Sequence, residues 1–283
     1  MIINGSTCLF GILGNPVSHS LSPAMHNAAF KARNIDAVYI PLATAELDTA
    51  FAGLKTLPFT GVSVTVPHKV AIIPLLDAID PVAQKIGAVN TLLFKRRADG
   101  RVRCEGANTD WLGANRALED VIHLEGASVL LLGAGGAARA LGFGFMEAGA
   151  QVFVHNRTEE RGRQLAAQIS CEYLTEGELR GHRADICVNA TSVGMAPDTD
   201  ALPIEPEFLS NFRVVMDIVY APLETRLLHE ARERGCTAVS GESMLLYQAA
   251  AQWRLWMEDE PPIEAMREAL LAGLAARGEN AHA

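Results

Sequence analysis

The sequence predicts an α/β protein of two domains, an N-terminal mixed or parallel α/β layer followed by a doubly wound domain. Three observations point there. The chain has 283 residues, and at about 100–200 residues per domain two is the natural number. Short β-branched runs alternate with amphipathic stretches almost throughout, as in βαβ units. A glycine-rich turn near residue 133 lies between two such runs.

In chain order, residues 8–14 read as a strand, 23–33 as a helix, 37–41 as a strand, 46–57 as a helix, 61–66 as a strand and 69–78 as a helix. Residues 88–94 and 102–105 read as strands joined by a turn at Asp99–Gly100, where the Asp-Gly pair favours reversal. From Ser128 a second series begins. Strands at 129–132, 151–155, 185–189, 214–219 and 237–239 alternate with helices at 137–148, 159–169 and 225–234. Two helical stretches, 244–257 and 263–276, follow. The tail 277–283 is polar and is expected to fray. The expected domains are 1–108 with 242–283, the C-terminal helices returning to the first domain, and 109–241.

Hydrophobic residues make up 49% and charged residues 20%, enough to build ordinary cores and too apolar for a disordered chain. The balance of 24 basic against 33 acidic side chains, −9, gives no broad attraction to nucleic acid or to an anionic membrane. An anionic small molecule would need a locally basic site. The five cysteines form no C-x-x-C pair and suit neither a zinc site nor a disulfide framework, so no metal is expected and a cytoplasmic setting is the simplest. Residues 1–14 lack a basic segment, which argues against a signal peptide. No apolar run is long enough for a membrane span.

Gly133-Ala134-Gly135-Gly136-Ala137-Ala138 follows a buried strand and opens a helix. Gly133 permits the tight turn, Gly135 lets backbone approach a pyrophosphate, and Ala138 is small enough for helix–strand contact. The free N–H groups of the helix start favour an anion. This pattern, set between two strands, predicts a Rossmann-like dinucleotide domain. Where an NAD enzyme usually places Asp or Glu at the end of the second strand, this chain has Asn156-Arg157-Thr158, with Arg161 one turn on. Guanidinium groups suit the 2′-phosphate of NADP. The same arginines also fit a solvated helix start, and Glu159 and Glu160 fit the dipole there.

The remaining motifs are Gly14-Asn15-Pro16-Val17-Ser18-His19-Ser20-Leu21-Ser22-Pro23, Val64-Thr65-Val66-Pro67-His68-Lys69, Gly87-Ala88-Val89-Asn90-Thr91 and Asn108-Thr109-Asp110. Asn189-Ala190-Thr191-Ser192-Val193-Gly194-Met195, Asp217-Ile218-Val219-Tyr220-Ala221-Pro222, and Gly241 with Met244-Leu245 to Gln248 complete the set. In order and spacing, over nearly the whole chain, these resemble the shikimate dehydrogenase family. The resemblance implies reversible NADP-linked conversion of 3-dehydroshikimate to shikimate, a step of chorismate and aromatic amino acid biosynthesis, by a monomer or homodimer. It pairs Lys69 with Asp110 as catalytic residues. It assigns Ser20, Ser22, Thr65, Asn90, Tyr220 and Gln248, with Lys69 and Asp110, to the substrate. It assigns Gly133, Ala134, Gly135, Gly136, Ala137, Asn156, Arg157, Thr158, Arg161, Thr191, Ile218, Gly241 and Met244 to NADP.

The chemistry fits those residue types. Lys69 sits at a strand's carboxyl end near a helix start, which disfavours its positive charge, while a nearby carboxylate favours it. A lysine so balanced can accept the alcohol proton. Ser20 and Ser22 stand before a helix, where capping and anion binding use the same donors. Other readings stay open: an exposed lysine for Lys69, a helix cap for Asp110 and for the serines, and structural hydrogen bonds for His19 and His68. Gly241 and Met244 are expected beside the nicotinamide. One position departs from the family: Ser63 stands where an Asn is usual, two residues before Thr65. A direct contact from that position to substrate is expected to be weaker or water-mediated. Two alternatives accompany the main reading. One is a quinate/shikimate dehydrogenase, of a kind that often uses NAD. The other is a non-catalytic sensor of NADP and a small acid, which would need no proton acceptor.

Overall fold

The computed structural model describes residues 3–280. The chain forms two compact units, one running up to Thr109 and resuming at Ala249, the other spanning Asp110–Gln248.

The first unit contains β1 (Cys8–Gly14), α1 (Ser22–Ala32), β2 (Ala37–Ala43), α2 (Leu47–Thr56), β3 (Phe59–Val64), α3 (His68–Ala71), β4 (Ala78–Ile79), α4 (Pro81–Ile86), β5 (Thr91–Arg96) and β6 (Val102–Ala107). Its sheet has the order β2-β1-β3-β5-β6-β4. β1 is parallel to β2 and β3, whereas β5 runs antiparallel to β3 and to β6. The sheet is therefore mixed. The reversal comes from the β5–β6 hairpin, whose Gly100 has φ +81°, a left-handed conformation that glycine adopts without strain.

The expected helix over 69–78 is only one turn long. α3 ends at Ala71, and a 3₁₀ turn takes over at Ile73–Leu75, because Pro74 has no N–H to continue the α-helical ladder. A helix not expected from periodicity, α4, follows. The Asp80 carboxylate accepts from the N–H groups of Val82 and Ala83, Pro81 occupies the first turn, and Gly87 closes the helix at φ +69°. These are strong start and stop signals.

The second unit contains α5 (Asp110–Glu119), β7 (Ser128–Leu132), α6 (Gly136–Glu147), β8 (Gln151–His155), α7 (Glu159–Gln168), β9 (Glu172–Tyr173), α8 (Glu176–Leu179), β10 (Ile186–Asn189), β11 (Val214–Asp217), α9 (Arg226–Glu233) and β12 (Thr237–Val239). All its strands are parallel. Their order, β12-β11-β10-β7-β8-β9, is the 3-2-1-4-5-6 arrangement of doubly wound nucleotide-binding sheets when the strands are numbered from β7. Ligands of such sheets bind beyond the carboxyl ends of the strands, where the order reverses between β7 and β10. β11 stops at Asp217, short of the expected 219, because the Asp217 carboxylate captures the Val219 N–H at 3.0 Å and bends the chain out of the sheet.

Helix α10 (Gly241–Met257) begins in the second unit, and its later half belongs to the first, as does α11 (Ile263–Asn280). Trp253 is fully buried and its ring lies 5.4 Å from that of Phe30. The Trp256 indole N–H donates to the Leu92 carbonyl at 3.0 Å. Of the polar tail, residues 281–283 lie outside the described residues, and α11 continues through Asn280.

Candidate active site

In the first unit, three parallel strands and one antiparallel neighbour bring the sequence motifs to one sheet edge. Ser63 is in register with Thr91, and Thr91 with Ala107. The residue before β5, Asn90, and the residues after β6, Asn108 and Thr109, therefore reach the carboxyl end of β3. Backbone hydrogen bonds lock them there. The Val64 N–H donates to the Asn90 carbonyl at 2.8 Å, and the Val89 N–H donates to the Lys69 carbonyl at 2.8 Å. The Asn15 N–H donates to the Val66 carbonyl at 3.0 Å, which ties the serine loop to the same edge. Gly14 makes that junction possible, since a Cβ there would collide with the Thr65 methyl.

Each candidate has a local reason for its place. The Ser20 hydroxyl accepts from the Ser22 N–H at 3.2 Å, so it caps one of the donors that open α1. Asn90 is 2% exposed. Its Oδ1 accepts from the Thr91 hydroxyl at 2.6 Å and from the Thr109 N–H at 2.9 Å, while its Nδ2 faces the Thr109 Oγ1 at 3.0 Å. Lys69 is partly exposed in the single turn of α3. The helix-dipole effect expected there is confined to that turn. His68 is a structural residue, its Nε2 lying 2.9 Å from the Thr44 carbonyl.

Ser63 is buried, not solvent-facing. Its hydroxyl accepts from the Tyr39 hydroxyl at 2.6 Å and donates to the Gln252 Oε1 at 2.9 Å. The Ser63 hydroxyl is thus part of an internal hydrogen-bonded chain. Periodicity alone passed over Gln252, because a glutamine within an apolar helical stretch carries no motif.

In the second unit, Gly133 turns at φ +114°, and a Cβ there would press on the Thr191 methyl at 2.9 Å and the Ala190 carbonyl at 3.1 Å. At Gly135 and Gly136 an added Cβ would meet nothing within 4 Å. Open space thus lies directly over the N-terminus of α6, which fits a pyrophosphate on that helix start. Thr191 is held beside the turn by Asn189, whose Oδ1 accepts from the Thr191 hydroxyl at 2.7 Å, and the Asn189 Nδ2 donates to Asp217 at 2.9 Å. Burial pushes the Asp217 carboxyl up to about 6 against three hydrogen bonds that favour the charged form.

A cleft of about 740 Å³ is lined by Gly133, His155, Asn156, Arg157 and Thr191, among others. Arg161 faces a separate notch of about 260 Å³, with Ala134 and Arg139. The two arginines expected to share one phosphate thus border different hollows, and Arg139 is a cation that the strand-end reading overlooked. Glu159 and Glu160 are engaged within their own helix, accepting from Arg163 and Gln164, each at 2.8 Å. Asn156 holds the turn by donating to the Thr158 carbonyl at 2.8 Å.

Gly241 is required by the protein itself, because a Cβ there would collide with the Ile218 carbonyl oxygen. That contact explains the small residue without a ligand. Met244 is buried, Ile218 and Tyr220 are partly exposed, and the Gln248 Nε2 donates to the Leu245 carbonyl at 3.0 Å. Asp110 is the first residue of α5, immediately after Thr109, where the first unit breaks off.

The second unit is by order and turn geometry a Rossmann-type nucleotide-binding domain. Comparison with known proteins extends this to the whole chain. Residues 12–92 match the family described as shikimate dehydrogenase substrate binding domain. Residues 114–196 match shikimate / quinate 5-dehydrogenase, and 241–271 the shikimate 5′-dehydrogenase C-terminal domain. The chain is 44% identical to a protein of Methanosarcina mazei named shikimate dehydrogenase (NADP(+)), over 95% of this chain and 99% of that one. It is 44% identical to one of the same name from Pyrococcus furiosus, over 98% and 100%. The structure of shikimate 5-dehydrogenase from Thermus thermophilus, in complex with NADP(H) and shikimate, superposes with a TM-score of 0.85 at 40% identity, over 95% of this chain and 100% of that one. The chain belongs to the shikimate dehydrogenase family.

Proposed function

We propose that this enzyme is an NADP-dependent shikimate dehydrogenase that reversibly reduces 3-dehydroshikimate to shikimate. The observation that supports the reading is that backbone hydrogen bonds tie the loop leading to Ser20 and Ser22, and the segments carrying Thr65, Lys69 and Asn90, to the carboxyl end of one sheet, in a chain whose other unit is a Rossmann domain. The hydroxyls of Ser20 and Ser22 bind the substrate carboxylate. Thr65, Asn90 and Gln248 bind ring hydroxyls, and Tyr220 closes the pocket. NADP(H), when bound, accepts or supplies the hydride at the carbinol carbon. Lys69 takes the hydroxyl proton during oxidation and returns it to the carbonyl oxygen during reduction, and Asp110 supports its charge. Gly133, Ala134, Gly135, Gly136 and Ala137 cradle the pyrophosphate. Asn156, Arg157, Thr158 and Arg161 serve the adenosine 2′-phosphate end, and Thr191, Ile218, Gly241 and Met244 flank the nicotinamide side.

The reaction belongs to chorismate and aromatic amino acid biosynthesis. A cytoplasmic location agrees with five free thiols and with the absence, among the described residues, of any helix long and apolar enough to cross a membrane. The enzyme works as a monomer or homodimer.

Nicotinamide absorbance followed with shikimate or quinate, each with NADP+ or NAD+, tests the reading. Shikimate with NADP+ should give the highest kcat/KM. Preference for quinate and NAD+ would replace the reading by the quinate enzyme. Binding without turnover would replace it by a sensor.

A further inference from the structure

Gln252 is 1% exposed and lies one helical turn beyond Gln248 on α10. Both N–H bonds of its amide and one lone pair of its oxygen are engaged within the first unit. Its Oε1 accepts from the Ser63 hydroxyl at 2.9 Å. Its Nε2 donates to the Asn90 carbonyl at 3.1 Å and to the Thr91 hydroxyl at 3.0 Å. The Thr91 hydroxyl in turn donates to the Asn90 Oδ1 at 2.6 Å.

The direction of each bond is forced. A hydroxyl has one proton. The Thr109 N–H can only donate, so the Asn90 atom it meets is the oxygen; Thr91 gives its proton to that oxygen and so must accept from Gln252. The Asn90 backbone carbonyl can only accept, so it too must face the Gln252 nitrogen. The Gln252 oxygen is then left for Ser63, whose own oxygen accepts from the Tyr39 hydroxyl at 2.6 Å. A relay from Tyr39 through Ser63 to Gln252, and from Gln252 through Thr91 to Asn90, therefore has a single consistent sense. It ends on both the main chain and the side chain of one residue, where the Thr91 hydroxyl at 2.6 Å and the Thr109 N–H at 2.9 Å converge on the Asn90 Oδ1.

We infer that Gln252 is a positioning residue for substrate recognition: through Thr91, and together with the Thr109 N–H, it holds the Asn90 amide in place, and so the donor–acceptor pattern that a ring hydroxyl of the substrate meets. This rests on the assignment of Asn90 to the substrate made above. Buried polar networks of this kind cost stability when half-satisfied and confer a unique geometry when complete.

The test compares Gln252→Met, which keeps length and shape but loses both hydrogen-bonding ends, with Thr91→Val, which is isosteric and removes the relay hydroxyl. Thr91→Ser restores that hydroxyl. Each variant is assayed with shikimate and NADP+, and its thermal unfolding is recorded. Gln252→Met and Thr91→Val should each raise KM for shikimate about tenfold, the scale of one or two lost hydrogen bonds, with KM for NADP+ within about twofold of wild type. Their combination should be little worse than the poorer single variant, and Thr91→Ser should behave as wild type. If Gln252→Met does not fold, the Thr91→Val and Thr91→Ser pair decides alone. Lower thermal stability with both KM values unmoved, or equal rises in both, would overturn the inference and leave the proposed function standing. A wild type that oxidises no shikimate would overturn the proposed function, and the inference with it.

Discussion

The His26 imidazole stacks on the Tyr39 ring, with centroids 4.6 Å apart and planes 13° from parallel. It is fully buried, and neither ring nitrogen has a hydrogen-bond partner among the described residues. Burial lowers its pKa to about 4, against a smaller opposing effect from Gln252. The unfolded chain binds a proton at this residue below about pH 6.5, and the folded one only near pH 4. The contribution of His26 to stability is therefore whole above that upper value and is lost as pH falls between the two. The full shift corresponds to about 3 kcal/mol. His26→Phe keeps a stacked ring and cannot titrate, so its thermal midpoint should fall less than the wild type's between about pH 7 and pH 5. Parallel pH profiles for the two proteins would refute this.

Gly135 separates two roles that usually coincide in a glycine turn. Its backbone, φ −85° and ψ −173°, is open to any residue, and an added Cβ would touch nothing in the protein. Gly135→Ala should fold with wild-type stability and lose NADP+ affinity by at least about tenfold, because the methyl occupies the space into which a pyrophosphate would settle. Gly133→Ala should instead lose stability, since its Cβ meets Thr191 and its φ is left-handed. Calorimetric binding and thermal unfolding of the two variants distinguish these outcomes.

Arg157 lines the larger cleft, and Arg161 and Arg139 the smaller notch. Arg157→Ala should weaken NADP+ by about tenfold or more and leave NAD+ nearly unchanged, with the preference shrinking as salt is raised. Arg161→Ala should show the same sign with a smaller effect. Equal losses for both dinucleotides would assign Arg157 to the adenine or to the fold. Kd values measured at two ionic strengths supply the comparison.

Lys69→Ala should lower kcat by at least about 10², with NADP+ affinity intact, as expected for loss of a general base. Asp110→Asn should also impair turnover. If the two act as a unit, the double variant should be little slower than the poorer single one. Stopped-flow measurement of the hydride step shows whether the loss lies in chemistry, and additive losses would separate the two roles.

Much of the fold could be read directly from the sequence because its signals are local. The apolar run Ser128–Leu132, the turn at Gly133 and the following small residues state a βα unit unaided, and the doubly wound order of the second sheet follows from repeating it. What escaped was set by single residues against the trend. Pro74 cut short a helix whose apolar spacing continued past it, while Asp80 and Gly87 bounded a helix too short to show periodicity. The Asp99–Gly100 turn announces the β5–β6 hairpin, but the pairing of β5 with β3 is not displayed by the sequence. At the site, motif residues such as Thr65, Asn90 and Thr191 stand out as polar groups at strand ends. Ser63 and Gln252 do not, since their importance comes from facing each other across 189 positions of chain. Which hollow Arg157 and Arg161 each border could not be read from their four-residue spacing for a similar reason, because those hollows are shaped by residues such as Tyr173, Phe208 and Gln164.

The return of α10 and α11 to the first unit orders events during synthesis. Gly61 lies against the Trp256 indole so closely that a Cβ would collide with its nitrogen, and Phe30 waits for Trp253. When the ribosome has finished β6, the first sheet still lacks the side chains that cover one of its faces. The second unit, continuous in sequence, is complete before those residues emerge. The later half of the chain should thus acquire native structure ahead of the earlier half, the reverse of the usual vectorial order, and a nascent chain halted before Trp253 would expose Phe10, Phe30 and Tyr39 to chaperones.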